Sequence, residues 1–273
     1  MAAKLGIIAG AGELPKRLIA AARETGRPVY VLALEGAADE AMIGDAPHGW
    51  IRLGGAADGL RLLRENGCEE IVLAGGVKRP SLMSLRPDWR TAKFFARIGA
   101  RAFSDDSLLS AVVKALEEEE GFRVVGADTI LGTTPMPMGA IGKFRPDDLA
   151  LEDIVVGAKA ARALGALDIA QAVIVQQGVV LGVEAVEGTD ALIARCAGLK
   201  QEGLGGVLVK LPKPGQERRA DLPTIGANTV ANAAAAGLRG IAVEAAATIL
   251  LDRQAVIDAA DKHGLFFVGI AAP

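Results

Sequence analysis

Histidine and cysteine are nearly absent from this chain. Two of each occur in 273 residues, His48, His263, Cys68 and Cys196, and the cysteines lie far apart with no CxxC spacing. That scarcity all but excludes a zinc centre of the His/Cys type and predicts two buried, unpaired thiols. Aromatics are also few, 4% against 51% hydrophobic residues, so the cores must be built from Ala, Val, Leu and Ile. Neither sign of charge dominates. A net charge of −3 carries no chain-wide basic signal for nucleic acid or an anionic membrane, so any anion binding has to be local. The opening MAAKLGIIAGAGELP lacks the apolar core of a signal peptide, and the apolar region 225–251 is interrupted by Asn228, Asn232, Arg239 and Glu244. These absences predict a cytoplasmic protein, while a mean hydropathy of +0.33 leaves room for contact with something apolar.

What the chain does have is glycine, 34 residues of it, and short apolar runs alternating with helical periodicity. LGIIAG (5–10), a helix over 14–26, PVYVLAL (28–34), GWIRLG (49–54), a helix over 57–67 and EEIVLAGG (69–76) follow one another, with helices near 88–98 and 104–119 before FRVVGAD (122–128). Strand, helix and strand in that order are the pattern of parallel βαβ crossovers. The expectation is a Rossmann-like domain over 1–132. The stretch 133–147, rich in proline and glycine and without periodicity, reads as a linker. A distinct α/β domain is expected over 148–273. There QAVIVQQGVVLGVEAV (171–186) reads as a hairpin, so the second sheet is at least partly antiparallel. The fold class is α/β, a parallel sheet followed by a mixed one.

Four stretches could carry chemistry. AGAGELP (9–15) is a glycine turn between strand and helix, a place where free N–H groups and the helix dipole favour an anion. Its spacing is GxGxxP, and Glu35 is only a loose match for the ribose-binding acid, so it suits a phosphate or nucleotide better than a full dinucleotide; the alternative is a plain tight turn. AGGVKRPSL (74–82) again places glycines after a strand and adds Lys78, a point charge, and Arg79, a bidentate fork, against the alternative of a solvated loop. VEGTD (186–190) offers Glu187 and Asp190 as oxygen ligands for a hard divalent ion, with helix capping by Thr189 or Asp190 as the competing use. The pair Asp105-Asp106 has the same ambiguity.

The fourth is LVKLPKPGQERRADLP (208–223), in which Lys210, Lys213, Arg218 and Arg219 crowd around Asp221. A carboxylate among cations stays ionised, which makes it a poor general acid but a good metal ligand or anchor for an attacking water. The alternative is a surface salt-bridge cluster of little energetic worth. The residues alone therefore indicate a two-domain enzyme acting on phosphorylated or nucleotide substrates.

Taken together, IAGAGELP, AGGVKRP, VEGTDA, VKLPKPGQERRADLPTIG and LFFVG resemble the LpxI family, the UDP-2,3-diacylglucosamine pyrophosphatases of lipid A synthesis, over about residues 4 to 270. The resemblance implies hydrolysis of the substrate pyrophosphate to UMP and 2,3-diacylglucosamine 1-phosphate (lipid X). It also implies Mg²⁺ (Mn²⁺ as the substitute), water attack at the phosphorus on the sugar side, ligand held between two domains, and a homodimer that at most touches the cytoplasmic face of the inner membrane. The family's essential aspartate falls on Asp221, which takes the metal or water role, with Glu187 and Asp190 as further metal candidates. The substrate contacts expected from the motifs are Gly10, Gly12, Glu13, Leu14, Gly75, Gly76, Lys78, Arg79, Thr189, Lys210, Lys213 and Gln216, with the lysines assigned to phosphates by chemistry. Ala246 stands where the resemblance leads to an expectation of glycine. Two other readings compete: a nucleotide-sugar or NAD-dependent enzyme using the first domain, and a non-catalytic carrier or sensor of a nucleotide-sugar lipid.

Overall fold

The computed structural model describes residues 2–77, 86–99, 105–132, 135–220 and 222–272, with only the backbone described for 105–107. Two compact units divide the chain. The first takes Met1–Thr133 together with Glu217–Asp221, the second Thr134–Gln216 and Leu222–Pro273.

In the first unit β1 (Leu5–Ala9), α1 (Leu14–Glu24), β2 (Val29–Leu34), α2 (Glu40–Ile43), β3 (His48–Ile51), α3 (Ala56–Glu65) and β4 (Glu70–Ala74) follow in order. After them come α4 (Trp89–Ile98), α5 (Asp105–Lys114), a π-helical turn at Ala115–Glu119, β5 (Arg123–Val124) and α6 (Ala127–Leu131). The sheet is wholly parallel, in the order β3-β2-β1-β4-β5. Its central strands read as continuous apolar runs because both faces are covered; all six residues of β2 are buried. α1 turns Leu18, Ile19 and Ala22 inward and carries Pro15 in its first turn, where no N–H is needed. The chain leaves β1 toward β2 and β3, then returns to place β4 on the other side. The switch point of the sheet therefore lies beyond the carboxyl ends of β1 and β4.

The second unit contains β6 (Gly139–Ile141), α7 (Asp148–Ala166), β7 (Ala172–Gln176), β8 (Val179–Val183), α8 (Thr189–Ala197), β9 (Val207–Lys210) and β10 (Thr224–Ile225). It continues with α9 (Ala227–Ala235), β11 (Gly240–Glu244), β12 (Ile249–Leu250), α10 (Arg253–His263) and β13 (Phe266–Ile270). Six strands form a mixed sheet in the order β6-β13-β11-β9-β7-β8, and β10 and β12 make a separate parallel pair. β9, β11 and β13 run parallel, while β7, β8 and β6 add antiparallel neighbours at the two sides. The β7–β8 turn is Gln177-Gly178, both at positive φ (52° and 76°), the two-residue geometry that matches strand twist. One face packs on α7, with Ile154, Ala158 and Ala161 against Val173 and Val209. The other packs on the later helices, with Leu192, Val230 and Val256 against Ile174, Leu208 and Ile241. The stretch 133–147, expected as a linker, carries β6 and the fully buried Met136, whose backbone bonds to Thr248 and Ala246.

Candidate active site

At the switch point of the first unit the two glycine turns lock together. Ala11 N–H donates to the Gly76 carbonyl (2.8 Å), Gly76 N–H donates to the Ala11 carbonyl (2.9 Å), and Gly10 N–H donates to Ala74 (2.8 Å). A Cβ on Gly10 would lie 2.5 Å from the Gly76 oxygen, and one on Gly75 would lie 2.4 Å from the Ala11 oxygen, so both glycines are steric necessities. The structure thus brings Gly10, Gly12, Glu13, Leu14, Gly75 and Gly76 to one crest. It also spends part of the expected anion cradle: Ala11 N–H is already bonded, and Pro15 has no N–H to offer. The donors left for an anion are those of the first turn of α1, which lack intrahelical partners by geometry. Lys78 and Arg79 lie outside the described residues.

Three of the cations that crowd together in the sequence, Lys210, Lys213 and Arg219, have separate partners. Lys210 ends β9 and points to the α8 side, where its Nζ donates to the Thr189 hydroxyl (2.9 Å). Lys213 pairs with Asp168 at 2.5 Å. Arg219 grips Glu217 through two nitrogens, each at 3.0 Å, and reaches Glu117 at 2.7 Å. Those bonds keep the Glu217 carboxyl below its usual range, with the Arg219 side-chain bond the largest cause. Arg218 is engaged as well. Asp221 lies outside the described residues.

The KPGQ segment itself is a turn. Gln216 N–H donates to the Lys213 carbonyl (3.2 Å), Pro214 and Gly215 occupy the central positions, and Gly215 has φ +80°, the signature of a type II turn. The buried Gln216 amide oxygen accepts from Lys213 N–H (2.9 Å) and so closes the same turn.

Thr189 and Asp190 open α8, but neither caps it; Gly188, at φ +83°, holds the cap position. Released from capping, the Thr189 hydroxyl accepts from Lys210 and donates to Glu184 (2.8 Å). Glu184 and Lys210 are 6% and 7% exposed, and the second oxygen of Glu184 is buried with no hydrogen-bond partner among the described residues. Glu184 sits in no recognisable motif, and sequence reasoning missed it.

The two described metal candidates, Glu187 and Asp190, have different hydrogen-bond partners. Both oxygens of Glu187 are occupied, one by Arg195 (2.8 Å) and one by Ala185 N–H (3.0 Å), and its carboxyl is held below the usual range chiefly by the Arg195 bond. Asp190 accepts from Asn232 (3.2 Å). The side chains of Asp105 and Asp106 lie outside the description, although their backbone opens α5. Among the described residues no group of three or more His, Cys, Asp or Glu side chains gathers around one point. No helix among them is long and apolar enough to cross a membrane. Cys68 and Cys196 are buried and unpaired, and burial raises the pKa of both thiols.

Comparison with known proteins covers nearly the whole chain. Residues 4–134 match the family model of the LpxI N-terminal domain, and residues 137–268 match that of the LpxI C-terminal domain. The UDP-2,3-diacylglucosamine pyrophosphatase LpxI of Caulobacter vibrioides is 42% identical over 274 residues, spanning 98% of this chain and 97% of that protein. Among solved structures, N5-carboxyaminoimidazole synthase from Aspergillus clavatus aligns at TM-score 0.25 and 14% identity over 73% of this chain. Biotin carboxylase from Campylobacter jejuni aligns at 0.22 and 14% over 71%. The alignments span 44% and 41% of those two chains.

Proposed function

The chain belongs to the LpxI family, and we propose that it hydrolyses the pyrophosphate of UDP-2,3-diacylglucosamine to UMP and 2,3-diacylglucosamine 1-phosphate. The observation that carries this reading is the 42% identity to a pyrophosphatase of that name over 98% of this chain and 97% of that protein. The local structure supports it. Glycine turns at a switch point and a buried lysine at the carboxyl end of a strand are both suited to phosphate oxygens.

In the proposed reaction a water oxygen bonds to the phosphorus on the sugar side as the bond from that phosphorus to the bridging oxygen breaks. The bridging oxygen leaves with UMP, and the proton of the water is released to solvent. Lys210 would sit against the non-bridging oxygens, where charge is spread in the transition state and positioning supplies most of the catalysis. Asp221, by its DLPTIG context, is the residue we assign to orient the water or to hold a divalent ion.

Mg²⁺ dependence is part of the same proposal. Such an ion is bound by one or two carboxylates plus substrate phosphates rather than by an all-protein cage. A single aspartate therefore fits, whereas Glu187, occupied by Arg195, does not. When bound, the ion would neutralise pyrophosphate charge. That substrate is held by both units also belongs to the proposal and rests on the family resemblance.

The test is UMP release from UDP-2,3-diacylglucosamine with Mg²⁺, with and without EDTA, for the native protein and Asp221→Ala. Metal-dependent UMP, lost in the variant while binding is retained, is the expected outcome. Reaction in ¹⁸O-water should put the label in the sugar 1-phosphate and not in UMP. Tight binding without UMP under any divalent metal would sink the hydrolase and leave the carrier reading standing.

A further inference from the structure

The register of the mixed sheet lines up three residues that are distant in sequence. Ala172 pairs with Lys210 across β7 and β9, and Val173 pairs with Val183 across β7 and β8. One step further along that ladder, Glu184 N–H donates to the Ala172 carbonyl (2.9 Å). Glu184, Ala172 and Lys210 therefore stand in a row, and directly paired residues point to the same face. Ala172 belongs to the cluster under the later helices, which identifies that face.

Glu184 and Lys210 are two strand spacings apart, about 10 Å between backbones, and only a methyl group stands between them. The Thr189 hydroxyl, delivered by the first turn of α8, bridges the gap. Its hydrogen-bond direction is fixed, because an ammonium cannot accept and an ionised carboxylate cannot donate. Lys210 donates a hydrogen bond to Thr189 Oγ1, and the Thr189 hydroxyl donates one to Glu184.

A buried ion pair that serves only the fold gains most from direct contact, where Coulomb attraction offsets desolvation. Here the two charges are held apart by a hydroxyl, and Thr189 takes one of the three Lys210 donors. Among the described residues the second Glu184 oxygen, which is buried, has no hydrogen-bond partner, a costly arrangement of the kind found at functional sites.

We propose that Glu184 is a positioning residue: through the Thr189 hydroxyl it fixes the Lys210 ammonium at the carboxyl end of β9 to receive a phosphate oxygen of a nucleoside-diphosphate ligand. This rests on the hydrolase reading above for its substrate, but the geometry concerns any diphosphate. Ala172 takes part by being small, since a longer side chain at that position would fill the space the bridge occupies.

The experiment is a double-mutant cycle among Glu184→Gln, Thr189→Val, Thr189→Ser and Lys210→Met. It is read by kcat and KM for UMP release and, independently of turnover, by calorimetric binding of UDP. Glu184→Gln and Thr189→Val should each lower kcat/KM by about tenfold in the native background, and by less than about twofold once Lys210 is methionine, because both act through that lysine. Thr189→Ser should restore native values. A purely structural role predicts the opposite pattern, with a lower melting temperature in both backgrounds and unchanged kcat/KM for the folded enzyme. Losses that multiply with Lys210→Met, or native kinetics and UDP affinity in Glu184→Gln, overturn the proposal. If the native protein releases no UMP, the hydrolase reading fails by itself. The same cycle in UDP affinity still decides Glu184, and absence of coupling or of UDP binding counts against it.

Discussion

Nη1 of Arg219 lies 2.7 Å from Oε1 of Glu117, a residue of the π-helical turn in the first unit. The same Glu117 oxygen accepts from Val124 N–H (3.3 Å), and Ala220 packs against the cluster containing Tyr30, Leu116 and Phe122. An ion pair and an apolar contact thus tie down the segment just before Asp221. Both side chains remain partly exposed, 42% and 31%, so the pair should contribute less than about 1 kcal/mol to global stability. Its effect should be local. Glu117→Gln is expected to leave the urea midpoint nearly unchanged while amide hydrogen exchange in residues 217–220 accelerates severalfold. Equal protection in the two proteins would mean that the apolar contact alone holds the segment.

Ala246 has φ +58°, the left-handed region that disfavours a Cβ, and its N–H donates to Met136 (2.8 Å). Glycine was the residue expected here from the resemblance, and the backbone adopts a conformation that glycine favours. Left-handed strain in alanine costs roughly 1–2 kcal/mol, and the greater chain entropy of unfolded glycine returns part of that. Ala246→Gly should therefore stabilise the protein by about 0.5 kcal/mol, read as an increase in the urea midpoint with unchanged slope.

Most of the fold was legible in the sequence because it rests on local signals. Strands of β-branched residues alternating with helical periods gave the parallel sheet, and Gln177-Gly178 gave the hairpin that makes the second sheet mixed. The glycines of AGAGELP and AGGVKRP were legible as turns at strand ends. Their mutual locking was not, since it depends on two strands becoming neighbours. The partners of Lys210, Lys213 and Arg219 were not legible for the same reason: proximity along the chain says nothing of where Thr189, Asp168 and Glu117 will be brought. Glu184 is the clearest case. Its relation to Lys210 exists only through the register of three strands. β6, three residues long, was hidden in a proline-rich stretch because its pairing with β13 needs no periodicity of its own.

Asp88 joins two helices of the first unit. One oxygen caps α4 by accepting from Thr91 N–H (2.8 Å), and the other accepts from Ala57 N–H at the start of α3 (2.6 Å). Burial by itself would raise its pKa, but the bonds to Thr91 and Ala57 prevail and lower it. A depressed carboxyl contributes stability that is fully present above the unfolded value, near ~4, and is lost as pH falls through the lower folded value. Asp88→Ala should cost about 1–2 kcal/mol at pH 7, and the gap between variant and native protein should narrow as pH falls below ~4. A gap that stays constant between pH 7 and pH 3 would show that the cap works without its charge.

Lys213 offers a choice between two roles. Sequence chemistry assigns it to a substrate phosphate, whereas the structure pairs it with Asp168 at 2.5 Å, the side chains being 13% and 20% exposed. Asp168 has φ +56°, a conformation that aspartate tolerates better than most residues, so the pair has been placed at some backbone cost. If the lysine is committed to that partner, its removal should be felt in folding more than in binding. Lys213→Met should destabilise the protein by about 2 kcal/mol, short of the 3–5 kcal/mol for a fully buried pair because some solvent reaches both groups. Asp168→Asn added to it should cost less than it does in the native background, since the contact between the two residues is then already gone. KM for UDP-2,3-diacylglucosamine should change by less than about threefold, the signature of a residue that makes little uniform contact with substrate. A tenfold rise in KM with native stability would return Lys213 to the phosphate and make its bond to Asp168 a resting arrangement that substrate displaces.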